Sequence, residues 1–146
     1  MKSKAFTSAL NLLTRREHGA AELKGKLKQK GFAQEEIQEA IAECQSLDLQ
    51  SDVRFSESLC RARILQGYGP LRIRRELQEK CIADEIIDAA LALEHENWLT
   101  YAQDVRKKKY KEASSIEYQE RQKQKQFLYY RGFALATIEQ VFKEIE

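Results

Sequence analysis

Few side chains in this sequence could perform chemistry, and their spacing does not assemble an active site. The two histidines, His18 and His95, lie far apart near predicted helix ends, and neither has a cysteine or an acid at metal-ligand spacing. The three cysteines, Cys44, Cys60 and Cys81, form no CxxC pair and lie beside apolar residues in helical patterns. We therefore expect all three to be reduced core residues.

Motifs for phosphate binding and for acid–base catalysis are equally weak. The segment Gly67–Gly69 lacks the third glycine and the preceding strand of a dinucleotide fingerprint. The paired acids Glu35-Glu36 and Asp84-Glu85 fall in the first turns of predicted helices, where the helix dipole accounts for them. The sequence therefore predicts a protein that is not an enzyme and needs no cofactor or metal.

Basic residues cluster locally, although the formal net charge of the chain is only +2. One cluster lies in the middle of the chain and a second follows later: Arg61, Arg63, Arg72, Arg74 and Arg75, then Arg106, Lys107, Lys108, Lys109 and Lys111. Such stripes on a near-neutral protein fit contact with an acidic partner, either nucleic acid or protein. Alternatively, they form a solvated helix face with ion pairs to nearby acids.

The composition favours an all-α protein. The 146 residues include one proline and six glycines, and strong helix formers are abundant. The N-terminal segment lacks the apolar core of a signal peptide, and no apolar run approaches membrane-spanning length. We therefore expect a cytoplasmic protein that makes no membrane contact.

One helical unit recurs three times, at offsets of fifty and then fifty-one residues. The recurring positions are Phe32, Ile37 and Ile41, then Ile82, Ile87 and Leu91, then Phe133, Ile138 and Phe142; Gly31, Cys81 and Gly132 recur just before them. This repetition predicts three tandem three-helix repeats, residues 1–50, 51–97 and 98–146, in an elongated, curved array. The turn between the second and third helices is very short, which predicts steeply crossed, helix-turn-helix-like units.

The second helix of the third repeat is the least regular element. Ser114 and Glu117 predict a capping box that opens a helix running to about Tyr130. Its first half, residues 119–126, is almost wholly polar. We therefore expect this half to project past its own repeat or to lie on a partner.

Several motifs together resemble the RecX family of bacterial recombinase regulators. The resemblance is strongest in Gly67–Leu77, followed by Lys80–Ile82, and it extends through Arg15–His18, Ala21–Leu23, Lys26-Leu27, Lys30–Phe32, Asp52–Phe55 and Arg61–Arg63. It covers essentially the whole chain, most clearly residues 8–91. The sequence departs from the family pattern at Gly19, Val53 and Cys81, where serine, an acid and glycine are usual.

The resemblance implies a protein that binds the RecA filament on DNA. Family members lie along the filament groove, contact more than one RecA subunit, and restrain ATP hydrolysis, filament extension and strand exchange. These activities belong to homologous recombination, DNA repair and the SOS response. Some members also bind single- or double-stranded DNA weakly. On this basis we expect a monomer whose partner is the RecA filament.

Arginine and tyrosine are favoured interface anchors, so the exposed bases and tyrosines of the last two repeats are the candidate partner-binding residues. These are Arg61, Arg63, Tyr68, Arg72, Arg75, Lys107, Lys108, Lys109 and Tyr110. Tyr68 could instead pack over its own loop, and the lysines could form a solvated linker or make non-specific phosphate contacts. Two other functions remain open: an autonomous helix-turn-helix-like DNA-binding module, which the near-neutral charge disfavours, and a helical scaffold for another protein.

Overall fold

The computed structural model describes residues 2–111 and 117–145. Within those ranges it contains nine helices and no strand, which confirms the all-α prediction. The helices are α1 (Lys4–Arg15), α2 (Ala20–Gln29), α3 (Gln34–Ser46), α4 (Asp52–Leu65), α5 (Pro70–Glu79), α6 (Asp84–Ala92), α7 (Trp98–Tyr110), α8 (Tyr118–Tyr130) and α9 (Leu135–Lys143). The predicted capping serine, Ser114, lies outside the described residues.

The ends of α2, α5 and α8 share one local structure. A residue with positive φ follows each helix: Gly31 at 93°, Cys81 at 61° and Gly132 at 98°. The next residue donates its backbone N–H to the carbonyl five residues earlier, as in Phe32 to Leu27 and Phe133 to Leu128. This is a Schellman motif, which satisfies the last carbonyls of the helix and turns the chain sharply. The recurrence of the sequence is therefore also a recurrence of helix endings.

The chain divides into two compact units. The first comprises Met1–Ser58 and Leu77–Ile87. Its apolar core lies among α1, α2 and α3 and consists of Ala5, Phe6, Ala9, Leu23, Leu27, Ile37, Ala40 and Cys44. The predicted inward positions Phe32 and Ile41 are partly buried against this core.

The second unit comprises Leu59–Glu76 and Asp88–Glu146. Its apolar core lies among α7, α8 and α9 and consists of Ala102, Leu128, Phe133, Ile138, Val141 and Phe142. Trp98, the single tryptophan of the chain, packs against this core. The repeat positions predicted to be apolar in the third repeat are thus its core.

The prediction that all three cysteines are core residues is wrong for Cys81. Cys44 and Cys60 are buried, and burial raises the pKa of Cys60 to about 11, so that thiol stays protonated. Cys81 is exposed and lies outside the helical pattern, in the left-handed position that follows α5.

The prediction that the polar half of α8 projects past its own repeat or lies on a partner is also wrong. Gln124 is buried, and its Oε1 accepts a hydrogen bond of 3.0 Å from Nε of the buried Arg106 on α7. Arg121 donates to the backbone carbonyl of Phe142, at 3.2 Å. One face of this polar stretch therefore packs within its own unit, while its other residues, Gln119, Glu120, Gln122, Lys123 and Gln126, are exposed.

Candidate partner-binding site

The site begins at the turn between α4 and α5. Gly67 has φ of 88°, and Tyr68 donates its N–H to the carbonyl of Arg63 at 3.0 Å, so α4 also ends in a Schellman motif. Pro70 then opens α5, at a position where a helix does not need the N–H that proline lacks. This short turn fixes where the ring of Tyr68 lies.

The start of α5 touches the end of α8 directly through backbone atoms. Gly69 and Leu71 donate their N–H groups to the carbonyls of Arg131 and Gly132, at 2.8 and 2.9 Å. A Cβ added to Gly69 would lie 2.6 Å from the carbonyl carbon and oxygen of Gly132, so no side chain fits there. Because N–H groups of one helix end meet carbonyls of another, the two helix dipoles also complement each other. The contact brings Arg131 beside Tyr68.

Cations and aromatic rings then alternate along one continuous series of contacts. The guanidinium carbons of Arg72 and Arg131 lie 4.0 and 4.9 Å from the centre of the Tyr68 ring. Arg131 and Lys109 lie 5.3 and 5.1 Å from the centre of the Phe127 ring. We call this series, with Tyr110, the cation–aromatic ladder; its members are Arg72, Tyr68, Arg131, Phe127, Lys109 and Tyr110.

The ladder holds its side chains in fixed positions. The ring of Tyr110 meets the ring of Phe127 edge-on, with centres 5.6 Å apart. Arg131 also donates from Nη1 to the carbonyl of Gln66 at the end of α4, at 3.1 Å. Each cation–ring contact contributes about 0.5–1 kcal/mol at exposed sites. Together these contacts hold like charges close together, which favours an anionic partner.

A pocket of about 550 Å³ lies beside the ladder. Its apolar lining comes from Ile64, Leu65, Val105 and Phe127, and its cations are Lys108, Lys109 and Arg131; Tyr101 and Asp104 also line it. The charged side chains therefore surround an apolar floor, an arrangement typical of binding pockets.

The structure brings four of the nine predicted binding residues into the ladder: Tyr68, Arg72, Lys109 and Tyr110. Lys108 lines the adjacent pocket. The other four lie outside both: Arg61, Arg63, Arg75 and Lys107. All of these except Arg63 are exposed.

Arg63 is instead held within the protein. Its Nε and Nη2 donate to both carboxylate oxygens of Glu76, at 2.7 and 2.6 Å, and these hydrogen bonds raise the pKa of the guanidinium. This bidentate pair joins α4 to α5 and stabilises the turn that carries Tyr68. The two cations over the Tyr68 ring, Arg72 and Arg131, come from α5 and from the end of α8 rather than from the turn that carries Tyr68.

Sequence reasoning missed two ladder residues, Arg131 and Phe127. Arg131 occupies the repeat position of Lys80, so the repeat register could have drawn attention to it. Phe127 lies one helical turn before Arg131, where side chains on one helix face meet. The contact of both with Tyr68 and Lys109 depends on helix packing and carries no local sequence signal.

The first unit has a different set of side chains at the corresponding repeat positions. His18 stands where Tyr68 does, Glu22 where Arg72 does, and Lys80 where Arg131 does. Glu22 accepts hydrogen bonds from Arg16 at 2.7 Å and Lys80 at 3.4 Å. Burial alone would raise the pKa of Glu22, but Arg16 and Lys80 outweigh it and lower the pKa from 4.5 to about 2. Here one carboxylate offsets part of the positive charge, whereas no member of the ladder is a carboxylate.

His18 is buried next to this ion pair. Its Nδ1 donates to the carbonyl of Arg16 at 3.1 Å, so its Nε2 is the nitrogen that accepts from Nζ of Lys26 at 2.8 Å. Burial lowers the pKa of His18, and the charges of Arg16 and Lys26 act in the same direction. The imidazole is therefore held neutral, and it links the backbone carbonyl of Arg16 to Nζ of Lys26.

Within the described parts of the chain, no three histidine, cysteine or acidic residues come close enough together to hold a metal ion. In the same residues, no helix combines the length and apolar character needed to cross a membrane.

Comparison with known proteins identifies the family. Models described as the first, second and third three-helix domains of RecX match residues 5–44, 51–91 and 96–142. These matches confirm the prediction of three tandem three-helix repeats.

Full-length relatives and a solved structure agree with the family models. The protein named regulatory protein RecX from Legionella pneumophila (strain Corby) is 53% identical over 144 residues, covering 99% of this chain and 96% of the relative. Its namesake from Vibrio campbellii (strain ATCC BAA-1116) is 38% identical, covering 90% of this chain and 84% of the relative. The crystal structure of RecX from Lactobacillus salivarius superposes with a TM-score of 0.85 at 28% identity, covering 97% of this chain and 94% of that one. Since the three domain models follow one another along most of the sequence and a relative is more than half identical to nearly all of it, this chain belongs to the RecX family of regulatory proteins.

Proposed function

We propose that this protein is a non-enzymatic regulator that binds a RecA filament and restrains its ATP hydrolysis, extension and strand exchange. Family membership supports this function, since the relatives are named as regulatory proteins. The observation that links this function to particular residues is the cation–aromatic ladder, in which three cations lie against two aromatic rings of the second unit.

The same proposal assigns roles to the rest of the chain. Its three repeats, residues 1–50, 51–97 and 98–146, act as separate contact modules, so that one molecule reaches more than one filament subunit. The protein acts as a monomer in the cytoplasm, where RecA and DNA meet. Outside the ladder, Arg61, Arg75, Lys107 and Lys108 supply further exposed bases that meet acidic groups of the filament.

Binding is to the protein of the filament rather than to DNA alone. The Tyr68 ring is approached by two guanidinium groups and the Phe127 ring by two cations, so a base would compete with these cations for the rings. With a formal net charge of only +2, the chain also lacks a strong general attraction for phosphate.

An ATPase assay tests the proposal. RecA from Legionella pneumophila, on single-stranded DNA, is titrated with this protein, which we expect to slow ATP hydrolysis at well below one molecule per RecA. The double charge reversal of Arg72→Glu with Arg75→Glu should raise the concentration needed for half-inhibition about tenfold, equivalent to about 1.4 kcal/mol of binding.

A matched control makes the same charge change elsewhere. Lys24 and Lys28 are exposed on α2 in the first unit, so Lys24→Glu with Lys28→Glu should leave inhibition close to that of the unaltered protein. Absence of inhibition at equimolar protein refutes the proposed function. Equal loss of inhibition in both double variants refutes the assignment of the ladder as the contact.

A further inference from the structure

The pocket beside the cation–aromatic ladder has a shape and lining that suit a particular kind of ligand. Its volume of about 550 Å³ lies within the range of about 300–1,000 Å³ that is usual for pockets that bind small ligands and short segments. Its apolar floor is formed by Ile64, Val105 and Phe127, from α4, α7 and α8. The floor can therefore accept one large apolar side chain.

One of the residues that line this pocket, Leu65, is an apolar side chain that is largely exposed to solvent. Leu65, in the last turn of α4, is 87% exposed, more than any other large apolar side chain among the described residues. Because Leu65 also lines the pocket, its exposed side chain is available for apolar contact with a bound segment. Leu65 thus extends the apolar floor outward to a bound segment.

The side chains that line the pocket carry more positive than negative charge. Three cations, Lys108, Lys109 and Arg131, face a single acid, Asp104. Two of these cations are already positioned, Arg131 by the carbonyl of Gln66 and both Arg131 and Lys109 by the Phe127 ring. Because they are held before binding, a partner carboxylate meets them at little cost in side-chain ordering.

We propose that this pocket binds an acidic protein segment in which carboxylates flank one large apolar side chain. The apolar side chain enters between Leu65 and Phe127, and the carboxylates pair with Lys108, Lys109 and Arg131. Asp104 in the lining opposes a phosphate backbone, so a nucleic acid strand is a poorer fit. The inference rests on the proposed function in one respect: the segment is part of the filament protein.

A peptide titration tests the pocket without any filament. The full-length protein, labelled with ¹⁵N, is titrated with the acetylated and amidated pentapeptide of sequence EDFDE. We expect saturable shifts of the backbone amide signals of Gln66, Gly67, Val105 and Lys108, with a Kd of about 1 mM or tighter. The peptides QNFNQ and EDADE, which lack the charges or the ring, should bind at least about tenfold more weakly.

Variants of the protein provide the reciprocal test. Lys108→Gln with Lys109→Gln should weaken binding of EDFDE about tenfold, and Leu65→Ser should weaken it several-fold. Lys24→Gln with Lys28→Gln loses the same charge in the first unit and should leave the Kd unchanged.

Three results would overturn the inference: no saturable shift at the pocket, equal binding of QNFNQ, or tighter binding of a twelve-residue oligothymidylate at the same amides. The two proposals fail separately. If the protein inhibits RecA but does not bind the peptide, only the proposed pocket ligand is refuted. If it binds the peptide but does not inhibit RecA, only the proposed filament function is refuted.

Discussion

The contact between Gly69 and Gly132 can be tested by adding a single methyl group. In Gly69→Ala the new Cβ would lie 2.6 Å from the carbonyl carbon and oxygen of Gly132 and 2.7 Å from the nitrogen of Phe133. Carbon atoms pack at about 3.5–4.0 Å, so the overlap is about 1 Å. All the obstructing atoms belong to the backbone and cannot rotate away, so the start of α5 and the end of α8 must separate.

The cost of that separation follows from what it breaks. Moving the helix ends apart by about 1 Å takes the hydrogen bonds from Gly69 and Leu71, now 2.8 and 2.9 Å, beyond the useful range of about 3.2 Å. A buried N–H left without a partner costs about 1–3 kcal/mol, and overpacking costs about 1–3 kcal/mol more. We therefore expect the free energy of unfolding of the second unit to fall by about 2–6 kcal/mol.

The assay and its control both come from the chain itself. Trp98 packs on the core of the second unit, so its fluorescence in a urea titration reports unfolding of that unit. The control is Gly25, which lies within α2 and has nothing within 4 Å of an added Cβ. Gly25→Ala should therefore raise the free energy of unfolding by about 0.5–1 kcal/mol, as measured by circular dichroism during urea unfolding. If Gly69→Ala stays within about 0.5 kcal/mol of the unaltered protein, the two backbones do not approach as described.

Two further substitutions test other parts of the structure. Cys81→Gly should stabilise the protein by about 1 kcal/mol in urea unfolding, because glycine adopts the positive φ after α5 without the steric cost that a Cβ imposes; a lower urea midpoint would contradict this. His18 is buried, and its pKa in the folded protein is lower than the ordinary value of 6.5 that applies in the unfolded chain. As the pH falls below 6.5, the unfolded chain therefore binds more protons than the folded one. The free energy of unfolding should therefore fall as the pH drops from 7.5 to 5, and this slope should diminish in His18→Gln. It should persist in His95→Gln, which alters the exposed histidine; the same slope in both variants would exclude His18 as its source.

Much of the fold could be predicted from sequence because its determinants are local. The left-handed positions at Gly31, Cys81 and Gly132 and the apolar residues that follow them recur at fixed spacing, and each determines a helix ending by itself. The periodic apolar positions became the cores of the two units for the same reason, since one face of each helix must be buried.

The failures of sequence reasoning occurred where long-range partners decide the outcome. The polar stretch of α8 looks solvent-exposed because nothing in it reveals that Arg106, eighteen residues before Gln124, is buried opposite its amide. Arg63 looked like an exposed interface residue for a similar reason, because its partner Glu76 lies on the next helix. A charge or an amide alone does not indicate whether it will meet water or a complementary group.

The candidate site illustrates a further point about repeats, because it arises where the repeat is broken. His18, Glu22 and Lys80 stand at the same repeat positions as Tyr68, Arg72 and Arg131, and both glycines that precede α2 and α5, Gly19 and Gly69, are buried. In the first unit the carboxylate of Glu22 pairs with the cations of Arg16 and Lys80. In the second unit an arginine replaces that carboxylate and an aromatic ring replaces the imidazole, so positive charge gathers around a ring that cannot neutralise it. The shared fold accounts for the positions of these side chains, and the departure from the repeat accounts for the cations that gather around Tyr68 in place of a carboxylate. The residues that differ between equivalent positions are therefore the ones to mutate first when partner binding is tested.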